Sequence, residues 1–344
     1  ILNDTRDPVL HLTLQDMGIQ PIIRQHNNAL EIEIHAGFPV GALQNTLLPT
    51  LQTALNNALP DYAITLTIHA AIKTHRTQLI GRSLRGIKNT IAIASGKGGV
   101  GKSTVAVNLA VALAKMGARV GILDADIYGP SIPLMLGSTA PVTIEDDYYL
   151  PIHAHGIQAM SMGFLTTGDE ALIWRGPMLA KSLIHMLDST KWDDLDYLFI
   201  DLPPGTGDIQ LSLVQKIPLT AAIIVTTPQT VATLDAQKAL QMFDKTSIHV
   251  LGIIENMALH TCGQCGHRDA IFGQGGARKL CDKHHIELLG QLPLDARIAT
   301  QGDEGTPTAT NNQSDFLAIA LRAAVHLSQR PLNYADKFPP IVAG

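Results

Sequence analysis

The chain has 344 residues, 46% of them hydrophobic and 16% charged, and a formal net charge of −5. That composition supports a substantial core and excludes disorder as the main state, while the length fits two domains of unequal size. No run of about eighteen apolar residues would cross a bilayer, and the mildly acidic balance argues against a general nucleic-acid coat. Three cysteines, two of them in Cys262-Gly263-Gln264-Cys265, read as reduced thiols, not as a secreted disulfide framework. The opening Ile1-Leu2-Asn3-Asp4 is unlike a signal peptide, so the expected compartment is the cytoplasm, with neither nucleic acid nor membrane as partner.

Residues 1–75 read as a small α+β domain. Leu30, Ile32 and Ile34 alternate as in a half-buried strand, and residues 41–59 place Leu43, Leu47, Leu48, Leu51 and Leu55 at helical spacing up to Pro60-Asp61. Tyr62, Ile64, Leu66 and Ile68 then alternate again. Residues 76–88, richer in Arg and Lys, read as a linker. From 89 to 330 the pattern becomes α/β. Apolar runs at 90–94, 119–123, 197–200, 221–225 and 249–254 predict strands, and residues 103–116 and 231–243 predict helices. Continuous apolar strands alternating with helices predict a mostly parallel sheet covered on both faces. Residues 331–344 form a Pro-containing tail, a poor amphipathic membrane helix.

The strongest chemical signal follows the first of these strands. Gly96-Lys97-Gly98-Gly99-Val100-Gly101-Lys102-Ser103-Thr104 fits G-x-x-x-x-G-K-[ST] between an apolar strand and an Ala/Val/Leu-rich helix. Glycines let successive N–H groups turn toward phosphate oxygens, and the helix N-terminus adds its positive end. Lys102 is expected to neutralise the β- and γ-phosphates and Ser103 to hold Mg²⁺. Asp201 ends an apolar run where a Mg²⁺-side carboxylate belongs. Asp124 and Asp126 end another, near the metal or the attacking water. The intervening loop from Leu202 to Gly207 combines two prolines with two glycines, a composition suited to a nucleotide-sensitive switch.

Lys97, the extra lysine inside the loop, resembles that of the deviant Walker A ATPases, which include nitrogenase iron protein, partition ATPases and septum-site ATPases. The resemblance implies a homodimer sandwiching nucleotide, with Lys97 reaching the other subunit's ATP. Within that class the chain resembles the Mrp/ApbC family of iron–sulfur cluster carriers over about residues 88–330. The matching motifs are Asp124-Ala125-Asp126-Ile127-Tyr128-Gly129-Pro130-Ser131, Trp174-Arg175-Gly176-Pro177, Asp201-Leu202-Pro203-Pro204-Gly205-Thr206-Gly207-Asp208 and Thr226-Thr227-Pro228-Gln229. They continue with Glu255-Asn256-Met257, Cys262-x-x-Cys265 and Phe272-Gly273-Gln274-Gly275-Gly276. The resemblance implies that Asn256 approaches the adenine, that Asp126 orients the hydrolytic water, and that residues 290–295 line the base. Residues 1–75 resemble, more loosely, an iron–sulfur-assembly accessory domain.

Two thiolates at the Cys262/Cys265 spacing can bind a soft metal centre from one side, whereas a [4Fe–4S] cluster needs four. The family resemblance implies a labile cluster bridging two subunits, delivered to apo iron–sulfur proteins alongside the assembly machinery. Gly263 stands where the family usually has Pro, which loosens the turn. Cys281-x-x-His284 follows at zinc-ribbon-like spacing, so an intrachain zinc site competes with the cluster, unless Cys281 is simply a small buried residue of an amphipathic helix over 276–283 and His284 a solvated helix end. That competing reading pairs a structural zinc with a positioning ATPase of the partition or septum type.

Overall fold

The computed structural model describes residues 1–79, 82–127, 129–138, 140–165, 176–311 and 314–333. The first unit holds β1 (Ile22–His26), β2 (Ala29–Ala36), α1 (Gly41–Asn45), α2 (Leu47–Ala58) and β3 (Ala63–Ala70). Its sheet runs β1-β2-β3, antiparallel then parallel, with Ile32 opposite Leu66 and Ile34 opposite Ile68. Alternation places these four side chains on one face, where they are buried with Leu43, Leu47, Leu51 and Leu55. The helix predicted over 41–59 is broken at Thr46. Pro49 has no N–H to offer the Asn45 carbonyl, so α1 ends there and a second helix starts. The edge strand β1 carries no signal in the sequence, because all five of its residues are exposed and show no alternation. Asn27, at φ +52°, turns the chain between β1 and β2.

The second unit contains β4 (Ile87–Ala94), α3 (Lys102–Lys115), β5 (Val120–Asp124), α4 (Ile132–Met135), β6 (Ile144–Glu145), β7 (Tyr148–Tyr149), β8 (Ile152–Ala154) and β9 (Ile157–Ser161). It continues with α5 (Gly176–Asp188), β10 (Leu195–Asp201), α6 (Asp208–Lys216), β11 (Ala221–Thr226), α7 (Thr230–Lys245) and β12 (Val250–Glu255). Then come β13 (His260–Thr261), β14 (Arg268–Asp269), α8 (Gly276–His284), β15 (Leu288–Gln291), α9 (Ala296–Asp303) and α10 (Asp315–Ser328).

The main sheet has the order β15-β12-β11-β4-β10-β5-β9-β8 and is parallel except for β8. Period-two alternation along the buried central strands feeds two cores. Ile91, Ile93, Tyr197 and Phe199 pack on one face with α3 and α10. Ala92, Ala94, Leu198 and Ile200 pack on the other with α5 to α8. Helices therefore cover both faces, as the sequence predicts. Among the described residues, no helix is long and apolar enough to cross a membrane.

The first core continues into the small unit. Leu14, Phe38 and Leu43 share it with Leu109, Leu113 and Leu321. Gly41 N–H donates to the Met116 carbonyl at 3.1 Å, and Gln329 Nε2 donates to the Asp16 carbonyl at 2.8 Å. The stretch read as a linker is anchored, too. His75 is buried and bonded to Asn89, Gln78 is tied to the end of α6, and β4 already begins at Ile87. Residues 331–333 of the predicted tail pair with residues 74–76, while 334–344 lie outside the described residues.

Candidate functional site

The C-terminal ends of β4, β5, β10, β11 and β12 meet along one edge of the sheet, and the phosphate loop leaves β4 there. Ser95 Oγ donates to the Lys97 carbonyl at 2.9 Å, and the Gly205 N–H donates to the Ser95 carbonyl at 2.9 Å, seating the switch-like loop beside it. Two glycines are sterically obligatory. A Cβ at Gly96 would lie 2.1 Å from the Asp235 backbone, and one at Gly101 (φ +80°) would lie 2.3 Å from Asn256 Nδ2. Gly98 and Gly99 are exposed at the loop's crest, and Val100 is buried beneath it. The helix α3 begins at Lys102, so the unsatisfied N–H groups of Lys102, Ser103 and Thr104 form an anion-binding end.

Lys102 Nζ donates to Asp201 Oδ1 at 2.6 Å, and Ser103 Oγ donates to Asp201 Oδ2 at 2.5 Å. Lys102 is 6% exposed and Asp201 fully buried. Asp201 sits directly opposite Asp124 in the β10–β5 register. Asp124 accepts from the Asp126 N–H at 3.1 Å and from Ser161 Oγ at 3.0 Å. Burial, and then the nearby Asp201 charge, push the Asp124 carboxyl up to about 7. A serine hydroxyl and two adjoining carboxylates at a helix N-terminus match the hard-oxygen set that Mg²⁺ takes beside a phosphate. Asp126 is half-buried at the same edge, as is Lys97, whose ammonium has no ion pair among the described residues. Tyr128, Trp174 and Arg175 lie outside the described residues.

Asn256, expected at the adenine, is placed against the loop itself. Its Nδ2 donates to the Val100 carbonyl at 2.9 Å. The neighbouring Glu255 is fully buried, accepts from the Ala277 N–H at 2.9 Å, and also holds Gln291. Sequence reasoning assigned no role to Glu255 or Ser161. Their signal was position alone, each being the polar end of an apolar strand. Beyond Asn256 the chain pairs with the segment expected to line the base: Ala258 N–H donates to Leu292 and Leu294 N–H to Leu259, each near 2.9 Å. His260 then bridges to Leu294, two residues before Cys262.

Cys262 and Cys265 sit in the turn between β13 and β14, closed by the Gly266 N–H on the Cys262 carbonyl at 2.9 Å. Cys265 is exposed and Cys262 half-buried. Backbone N–H groups of Cys265 and then Gln264 point at the Cys262 sulfur and hold its thiol below the ordinary range, favouring thiolate. The zinc-ribbon spacing is not realised. Cys281 is 2% exposed in the core beside Ala277 and Leu280, and burial pushes its thiol up to about 11. His284 lies at the far end of α8, beside His249 at the opposite end of β12. Among the described residues, no group of three or more His, Cys, Asp or Glu is placed to hold a metal ion.

This strand–loop–helix geometry defines a P-loop NTPase, an ATPase by class. Residues 86–327 match the model of the NUBPL iron-transfer P-loop NTPases, and the chain belongs to that family. It is 47% identical over 334 residues to the iron-sulfur cluster carrier protein of Haemophilus influenzae, covering 95% of this chain and 90% of the relative. The Escherichia coli K12 carrier is 56% identical over 239 residues, 69% of this chain and 65% of that protein's length. Among solved structures, a nucleotide-binding protein from Archaeoglobus fulgidus in complex with ADP is 40% identical. It superposes with a TM-score of 0.59 over 67% of this chain and 91% of its own. The Mrp/ApbC resemblance read from the motifs agrees with these relatives.

Proposed function

We propose that this protein is an ATP-driven iron–sulfur cluster carrier, in which Cys262 and Cys265 supply half of a cluster's thiolates and a second copy supplies the other half. The observation that carries the reading is a cysteine pair in one turn, Cys265 exposed and the half-buried Cys262 held toward thiolate, with no further ligand gathered around it among the described residues. A [4Fe–4S] cargo needs four cysteines, so a symmetric homodimer completes it. The acceptors are apo iron–sulfur proteins in the cytoplasm, and residues 1–75 serve as an accessory unit for their recognition or for contact with the assembly machinery.

At the other site, N–H groups of α3 and Lys102 bind the ATP phosphates, and Lys97 approaches the nucleotide of the partner subunit. Ser103, Asp201 and Asp124 would hold Mg²⁺, which neutralises phosphate charge when bound. Lys102 then exchanges its bond to Asp201 for the phosphates, so nucleotide entry rearranges the carboxylate edge. Asp126 orients the attacking water, and residues 290–295 border the base. The ladder from Asn256 through Leu294 to Cys262 gives the nucleotide state a physical route to the cysteines.

Anaerobic reconstitution with iron and sulfide tests the reading. About two irons and two acid-labile sulfides per chain, lost in Cys262→Ala, are expected. One zinc per chain with no sulfide would overturn it.

A further inference from the structure

A second concave site lies at the opposite end of the sheet from the phosphate loop. It is a cavity of about 800 Å³ at the N-terminal ends of β12 and β15. The six residues of β12 separate the two sites by about 20 Å. His249 enters it from the start of β12, His326 from the last turn of α10, and Arg330 from just beyond that helix. His284 also lines it, and its Nε2 is buried without any hydrogen-bond partner among the described residues. The Arg330 side chain has no hydrogen bond or ion pair among the described residues.

We propose that this cavity binds a small anion bearing a phosphate or carboxylate group, held between Arg330, His249 and His326. This site is independent of the cluster-carrier reading. Partial burial, then Arg330 and His326, hold the His249 imidazole well below its usual range. Arg330 is positive and His326 becomes so when protonated, so an anion would relieve the repulsion. His326 is lowered by burial and by Arg322, while Glu287 opposes that shift. Asp244 of α7 and His285 at the end of α8 complete the charged or titratable lining. Its two carboxylates, Asp244 and Glu287, disfavour a polyanion and offset Arg330, so a small anion is held best once the histidines carry protons. A metal is disfavoured because the histidines do not converge as a ligand set. The volume is ample for a metabolite-sized ligand.

Binding an anion here draws protons onto His249 and His326, so affinity must rise as pH falls. The test is histidine-resolved NMR on the full chain, with the phosphate loop saturated by ADP. Inorganic phosphate and succinate are titrated separately at pH 5.5 and 7.5. Saturable movement of the His249 and His326 resonances is expected with one or both anions, and the binding one names the preferred group. Affinity should be about tenfold tighter at pH 5.5, and Arg330→Gln should weaken it about tenfold. His326→Asn, a second variant, should flatten the pH dependence. Absence of a saturable shift with either anion would overturn the proposal, as would shifts caused by zinc alone. Equal affinity in a well-folded Arg330→Gln variant would do the same.

Discussion

Asn256 donates its side-chain amide to the Val100 carbonyl at 2.9 Å while its own oxygen accepts from the Met257 N–H at 2.9 Å. One residue thereby fixes the floor of the phosphate loop and the first step of the segment that leads to Cys262. Asn256→Ala removes the bond to the loop, a change worth about 1 kcal/mol at a buried carbonyl. We expect ATP affinity to fall about fivefold, and nucleotide to lose part of its effect on cluster release. Calorimetric titration of ATP, followed by absorbance-monitored release with and without ATP, reads both. Unchanged affinity would mean that Asn256 does not shape the loop.

Asp124 gives a pH dependence with a definite sign. Its carboxyl titrates near 7 in the folded chain because burial and Asp201 disfavour the charge. In the unfolded chain it titrates at about 3.9. Between those values the native state holds more protons at this residue, so its contribution to stability is full below pH 4 and is lost as pH rises toward 7. Asp124→Asn should remove that slope, worth about 3 kcal/mol over the window. Urea unfolding of the nucleotide-free protein at half-unit pH steps measures it. A parallel pair of curves for the two proteins would show that the Asp124 carboxyl is not raised by folding.

The three cysteines should separate chemically. At pH 7.5, iodoacetamide is expected to modify Cys262 first, since N–H groups of Cys265 and Gln264 favour its thiolate. Cys281, buried with its thiol near 11, should react only after unfolding. Cys281→Ala should lower stability by about 1 kcal/mol through the small void it leaves, with iron and sulfide per chain unchanged. Peptide mapping by mass spectrometry gives the order of modification. Loss of iron in Cys281→Ala would restore this residue to the metal site.

The phosphate loop was legible because its chemistry is local: glycines, lysine and serine act where they stand in the chain. The central strands were legible for a related reason, since burial on both faces leaves an unbroken apolar run such as Tyr197-Leu198-Phe199-Ile200. Cys281 shows where spacing misleads. C-x-x-C followed by C-x-x-H describes a linear interval, but α8 turns Cys281 inward and moves His284 to the other end of β12. Asn256 is expected at the adenine from its motif, whereas its bond to Val100 spans 156 residues and leaves no mark on either local pattern. Edge strand β1 escaped because nothing selects alternation on a strand exposed along its whole length.

Gln78, in a stretch whose composition reads as a loose linker, is the clearest case of hidden tertiary order. Its Nε2 donates to the carbonyls of Val214 and Ile217 at 2.8 and 2.7 Å, and its Oε1 accepts from the Leu219 N–H at 2.7 Å. It therefore closes the C-terminal end of α6, whose first residue, Asp208, follows the switch-like loop. Gln78→Ala leaves two carbonyls and one N–H to find water, and should lower stability by about 2 kcal/mol. Because the switch-like loop joins the other end of α6, ATP affinity should change less than twofold. Hydrogen exchange at Val214, Ile217 and Leu219 should speed up at least tenfold in the variant. Gln78→Glu sharpens the test: it keeps the acceptor for Leu219 but turns a carboxylate oxygen toward the two carbonyls, so those contacts become repulsive. Exchange that stays slow in both variants would mean that α6 is held by its apolar face, Leu213 and Val214, and not by this strap.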